Sequence, residues 1–501
     1  MFIKLFHSLV ATFLFLLATG EGMSADFLSL TEELVPNPSE AVQSGLKKLN
    51  AGEASDAIGI FRVAAEKGDR NALFSLGWAY GSGTGTGEGP NAQTSIEYYR
   101  KASERGQLAA QLALGMVLVT RTEPGKPESA EGLSWIKKAA EGGQRDAQRQ
   151  LGLIYVDGLV VEKNLKLGEK WLTKAAEAGD ADGMIQLGAR YESGKITGKP
   201  DPEQAFKYYK MAADTGQVGA LLHLAKGYER GGYLKPDAEK AAVCYRKAEE
   251  AGSIEASYHL GRYYLFKDQE RAAFQFKKAA EGGYDIAQVS YAKALMAGAG
   301  VPKDDKAAVS WFEKAVEQGN PQAMFETGLL HKAGIAGKKK DMREALVWFI
   351  KAGENGFAEA QNTIGGYYKE GELLPRDNVA AVAWFTRAAA QGYVASQVNL
   401  GLMFESGRGV LQDIGRAGQL YQNAAASGNT VAMYLMAKLL DQGKGVPRDQ
   451  VGAYVLYSQA ATSYEPAIKE RDRIGGQLSE DEMKRAQEAL AKIAVEKKPT
   501  E

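Results

Sequence analysis

The chain has 501 residues, with 61 basic and 62 acidic side chains, a net charge of −1 and a single cysteine. Charge so balanced and interspersed offers no basic face to nucleic acid, and one cysteine excludes an intrachain disulfide. A chain this long would ordinarily divide into roughly three domains, but the pattern that fills most of it extends a core lengthwise instead.

Residues 1–25 read as a secretory signal. Lys4 supplies the positive start, Leu9–Ala18 an apolar stretch too short to span a bilayer, and Ala18-Thr19-Gly20 or Met23-Ser24-Ala25 the small residues of a cut. The alternative is an uncleaved anchor or a buried helix. No cysteine lies near the cut, which excludes a lipoprotein anchor, and no Asn-x-Ser/Thr sequon (x other than Pro) occurs, which favours a bacterial envelope. The expected location is therefore periplasmic or secreted, with no integral membrane segment after signal removal. Residues 26–38 form a connector. Ser39 then caps a helix, and Ala41–Asn50 with Ser55–Lys67 make an opening pair that turns at Gly52.

From there a unit recurs about every 36 residues. Its linker glycine can be followed as Gly68, Gly106, Gly143, Gly179, Gly216, Gly252, Gly283, Gly319, Gly356, Gly392 and Gly428. A second marker is always small: Gly77, Gly115, Gly152, Gly188, Ala225, Gly261, Ala292, Gly328, Gly365, Gly401 and Ala437. Glycine inside a helix costs ~1 kcal/mol relative to alanine, so this register predicts close approach of a neighbouring helix backbone. Eight residues before each linker glycine sits a mostly bulky residue, as at Trp135, Trp171, Trp311, Trp348 and Trp384. A large residue always follows it, as at Ile136, Leu172, Phe312, Phe349 and Phe385. Large and small side chains alternating at helical spacing describe faces that interlock.

The loop Gly298-Ala299-Gly300-Val301-Pro302-Lys303-Asp304, its counterpart Gly443 to Asp449, and Ala147 to Gly158 complete the motif. With these residues the chain resembles the Sel-one-like repeat family, a relative of the tetratricopeptide repeat, over about residues 55–465. The resemblance implies an all-α, right-handed superhelical α-solenoid of about 11–12 antiparallel helix pairs, here over residues 39–465. It says almost nothing about ligand or reaction. Cysteine-rich relatives linked to β-lactam binding carry a disulfide in each repeat, which this chain lacks.

Two stretches depart from the period. Gly81 to Pro90 is glycine-rich without the spacing of a dinucleotide fingerprint. The repeat between Gly261 and Gly283 is five residues short, leaving only Phe266-Lys267-Asp268-Gln269-Glu270 as its turn. After Tyr464 the linker glycine is lost, and Pro466 and Gly475-Gly476 interrupt the pattern. Ser479 and Glu482 form a capping box, so residues 466–495 read as closing helices and 496–501 as a tail.

Catalytic motifs are absent: no G-x-S-x-G, P-loop, H-E-x-x-H or C-x-x-C occurs. His223 and His259 share a register one repeat apart, without a third ligand, and read as half-exposed structural residues rather than a metal site. Cys244 stands where other repeats hold Trp and reads as an inert core thiol. No catalytic residue, metal or cofactor is expected.

A partner's place can be read from helix geometry. At about 100° per residue, positions two before and two after the residue preceding the small marker point away from the core, and the resemblance puts that side on the concave groove. These positions are unusually apolar. They carry a basic row, Lys226, Arg262 and Lys293, beside Leu222, Tyr258 and Val289, with Phe325 further along. Lys226, Tyr258, Arg262, Lys293 and Phe325 are thus the candidate binding residues, suited to an extended or helical protein segment bearing acidic groups. The alternative is that the apolar set packs on itself along a tight inner wall. The expected function is a non-catalytic scaffold for protein–protein interaction. Its rivals are a cell-envelope accessory for polysaccharide or outer-membrane assembly and, weaker, a cell-wall or β-lactam hydrolase.

Overall fold

The structure, a computed structural model, describes residues 34–87, 89–121, 126–231 and 234–496. The expected signal peptide, most of the connector and all but the first residue of the tail lie outside the described residues. Among those described are 26 α-helices and no strand, arranged as twelve pairs and two closing helices. The chain divides into two compact units, residues 1–256 and 257–501. The boundary falls inside the helix Ile254–Tyr264, the first helix of the short repeat. Successive helices pack on one another along each unit, the helix Ile254–Tyr264 and the last helix aside, and the last helix packs on Gln450–Ala460, so each unit is an all-α solenoid.

All eleven linker glycines are left-handed, from φ +76° at Gly106 to +92° at Gly252, a conformation that L side chains resist. The aspartate closing each loop motif is a helix N-cap. Asp304 Oδ1 accepts the Ala307 N–H at 2.9 Å, and Asp413 and Asp449 accept those of Arg416 and Gly452 at the same distance. The opening pair is a full repeat in the same style, with Ser39 as its cap and Gly45 against the Phe61 ring. Pro466 does not interrupt. It occupies the first turn of the helix Pro466–Gly475, where a missing N–H costs nothing.

The small marker does not chiefly mark backbone approach. A Cβ built on Gly188 would lie 2.7 Å from the Tyr209 ring, and one on Gly365 2.7 Å from that of Phe385. The large residue of the second helix is therefore a knob seated on the first helix. Backbone also comes close at Gly115, 2.6 Å from the Gly132 carbonyl oxygen. Where the knob is tyrosine its hydroxyl can find an acid four residues past the marker. Tyr209 donates to Glu192 at 2.8 Å, Tyr245 to Glu229 at 2.7 Å and Tyr421 to Glu405 at 2.7 Å. Where it is Phe276, Phe312, Phe349 or Phe385 that position holds Leu265, Met296, Lys332 or Lys369, so no acid is left there without its phenol.

Acid should loosen this capped array. Backbone N–H donors from Lys240 and Glu344 hold the carboxyls of Asp237 and Asp341 below the usual carboxylate range. Such groups stabilise the fold above their unfolded pKa of about 3.9, and that stability is lost as pH falls through the lower folded value. The Tm is expected to hold from neutral pH to about 5 and to fall below about 4. A Tm that climbed on acidification by calorimetry would contradict the capping argument.

Candidate functional site: a cavity at the short repeat

In the second unit the missing loop is replaced by a turn of four residues between the helices Ile254–Tyr264 and Gln269–Glu281. The turn is closed by Lys267 and Asp268 N–H groups donating to the Tyr264 carbonyl at 2.9 and 2.8 Å. The Asp268 carboxylate caps the second helix through the Arg271 N–H at 3.0 Å. Two other loops of this unit bring a valine inward, Val301 and Val446. The short turn has none. Beside it lies a cavity of about 360 Å³ lined by Tyr258, Arg262, Leu265, Gln269, Ala272, Ala273, Phe276, Ser290, Lys293, Ala294 and Ala299. Its inner wall of Ala272, Ala273 and Phe276 is buried. The Tyr258 ring is fixed between Phe276 and Tyr284, at centroid distances of 5.9 and 5.3 Å. Arg262 and Lys293 are exposed cations at the rim, and Lys293 Nζ lies 2.5 Å from Glu326. Phe266, one residue past the lip, is 95% exposed.

Of the five residues named from sequence, the structure brings Tyr258, Arg262 and Lys293 to one cavity. Lys226 belongs to the first unit, where its Nζ lies 2.8 Å from Glu255. Phe325 must be corrected. It is 4% exposed, with its ring packed against Phe349 and Phe357 at 5.1 and 5.3 Å. Phe74, Leu112, Val289 and Met116 are buried as well, so for them the inner-wall alternative is the right one. Leu265, Gln269 and Ala299 were missed. The signal for them was the five-residue shortfall itself, which removes a loop and its filling side chain.

Other singled-out residues settle into structural places. His223 stacks on Tyr209 at 4.9 Å, and His259 is buried rather than half-exposed. Burial pushes the Cys244 thiol up, away from reactivity. The tryptophans of the bulky slot each lie under a cation three residues on: Lys138, Lys174, Lys314, Lys351 and Arg387 stand 4.0 to 4.7 Å from the ring centroids. A glycan would need such rings open. Among the described residues there is no group of three metal-ligating side chains, and no helix long and apolar enough to cross a membrane.

The family profile described as Sel1 repeat matches eleven successive segments, from residues 70–107 through 430–463. The chain is a Sel1 repeat protein. Sel1 repeat proteins are generally protein-interaction scaffolds, typically non-catalytic and often extracellular or periplasmic. Among solved structures, this Sel1 chain is similar to c5321, a protective antigen of uropathogenic Escherichia coli strains displaying an SLR fold. The two are 29% identical over 89% of this chain and 98% of that one, with a TM-score of 0.54. It is also similar to a Sel1 repeat protein from Oxalobacter formigenes, 29% identical over 69% of this chain and 90% of that one, at a TM-score of 0.42. No curated protein matches the chain.

Proposed function

We propose that this Sel1 protein is a non-catalytic scaffold of the periplasm or cell exterior that holds an acidic segment of a partner protein at the short-repeat cavity. The observation carrying this reading is the convergence of Tyr258, Arg262 and Lys293 on one apolar cavity with a basic rim. An apolar anchor side chain enters between Ala272, Ala273 and Phe276, while a neighbouring carboxylate competes for Arg262 and Lys293 with the groups each already holds, Glu326 in the case of Lys293. Residues 1–25 support the location through their signal-like pattern.

The test places a photo-crosslinking amino acid at Leu265, at the cavity mouth, in cells that make the protein. A discrete protein adduct is expected, reduced at least tenfold in the double variant Arg262→Glu/Lys293→Glu, since charge reversal at a contact rim opposes association. Equal adduct in both backgrounds would remove the cavity from the binding surface. Hydrolysis of a cell-wall or β-lactam substrate by the pure protein would overturn the non-catalytic reading.

A further inference from the structure

The short repeat is unusual in what it exposes as well as in what it lacks. Phe266 is 95% and Phe274 65% exposed, and no other described phenylalanine is exposed at all. The Phe266 turn is not slack. Two hydrogen bonds to the Tyr264 carbonyl close it, and the Asp268 cap ties it to the following helix, so the ring is carried outward on a fixed backbone. A ring held out in this way leaves the burial that its size offers unused.

What the ring lacks lies beside it. The cavity begins one residue away, at Leu265, and its volume of about 360 Å³ exceeds the roughly 150 Å³ that suffices to hold a benzene ring. Knob and hole thus share one patch. Such a patch is self-complementary about a two-fold axis, where each copy gives to the other what it receives. The charges repeat the pattern. Arg262 and Lys293 stand at the rim, whereas Glu270, four residues past Phe266, is exposed and enters no ion pair among the described residues. Phe274, four residues further and so on the same side of its helix, widens the apolar part. A foreign protein would have to bring an apolar anchor and a nearby carboxylate. A second copy of this chain already carries both, on the patch that a two-fold axis would turn towards the cavity.

We propose that two copies of the chain pair about a two-fold axis at the short repeat. Each places Phe266 in the other's cavity and Glu270 against the other's Arg262 and Lys293. The pairing rests on the reading of that cavity as a pocket for an apolar anchor beside a carboxylate, and it adds regulation: the dimer is the closed state, and an acidic partner segment enters by displacing the second copy's Phe266. By mass action, partner binding weakens as the chain becomes more concentrated.

Sedimentation equilibrium of the purified full chain, from about 1 to 100 µM, should show monomers in exchange with dimers. Phe266→Ser changes an exposed side chain and should leave the fold intact, which circular dichroism checks, yet weaken the dimer about tenfold or more. Glu270→Arg alone and Arg262→Glu/Lys293→Glu alone should each weaken it about tenfold. Combining those three charge changes should bring association back to within about threefold of the parent, because the pairs are rebuilt with their signs exchanged. A photo-crosslinker at Leu265 in the pure chain should then join two copies. A chain that stays monomeric throughout, association untouched by Phe266→Ser, or growth past two copies would overturn the proposal. A monomeric chain that still gives the Arg262- and Lys293-dependent adduct in cells would remove the dimer and keep the partner. A Phe266-dependent dimer without any foreign adduct would do the reverse.

Discussion

Arg149→Met is expected to cost about 3 to 5 kcal/mol, the range for removing one partner of a buried ion pair. Arg149 Nε lies 2.8 Å from Asp180 Oδ2, with side-chain exposures of 14% and 10%, and its other arm pairs with Asp146. Asp180 begins the next repeat, so the bridge ties two repeats that touch only their neighbours. Burial pushes the Asp180 carboxyl up from the usual range, and Arg149 opposes that rise. With Arg149 gone, the carboxyl goes higher still. A group whose folded pKa lies above its unfolded value destabilises the fold at higher pH and ceases to do so once protonated. The deficit of Arg149→Met should therefore be larger at neutral pH than near pH 5. Adding Asp180→Leu should recover most of it, because an apolar pair replaces a buried ionic one at little cost. Denaturant unfolding at both pH values decides the matter. A deficit below about 1 kcal/mol, the worth of an exposed pair, or one that grows in acid, would mean the bridge is a surface ornament.

Phe325 shows where sequence reasoning ran out. The period, the linker glycines and the aspartate caps are local features, each fixed by a dihedral or a hydrogen bond within a few residues, and they were legible at once. The groove was not. Placing Phe325 and Val289 on an open face assumed that each first helix buries one stripe. In a solenoid that helix meets the second helix of its own repeat and the helices of its neighbours, so more than half its circumference is covered. Phe325 is buried for this reason. The basic row had a related blind spot. The acids that meet it, Glu255 for Lys226 and Glu326 for Lys293, stand at two different registers of the next repeat's first helix, so no single spacing marks them. The irregular repeat was legible only as a count of missing residues; that the missing loop leaves a cavity beside Tyr258 is what the structure adds.

Phe385→Ala should remove about 3–5 kcal/mol, as deletion of a fully buried ring does, and its partner is fixed by geometry. The Phe385 ring sits where any Cβ on Gly365 would come within 2.7 Å, with no solvent exposure to relieve it. Gly365→Leu alone should then cost about 1–3 kcal/mol by overpacking, despite a helix propensity better by ~1 kcal/mol. Combined, the two changes exchange knob and hole. The leucine grows into the space the ring has left, so the double variant should be more stable than Phe385→Ala alone, with a coupling of about 1–3 kcal/mol. The registers with alanine, Ala292 against Phe312 among them, indicate that a marker side chain is tolerated when the pair is built around it. Simple additivity of the two losses in chemical denaturation, within about 0.5 kcal/mol, would mean that the marker glycines are kept for some reason other than the ring they receive.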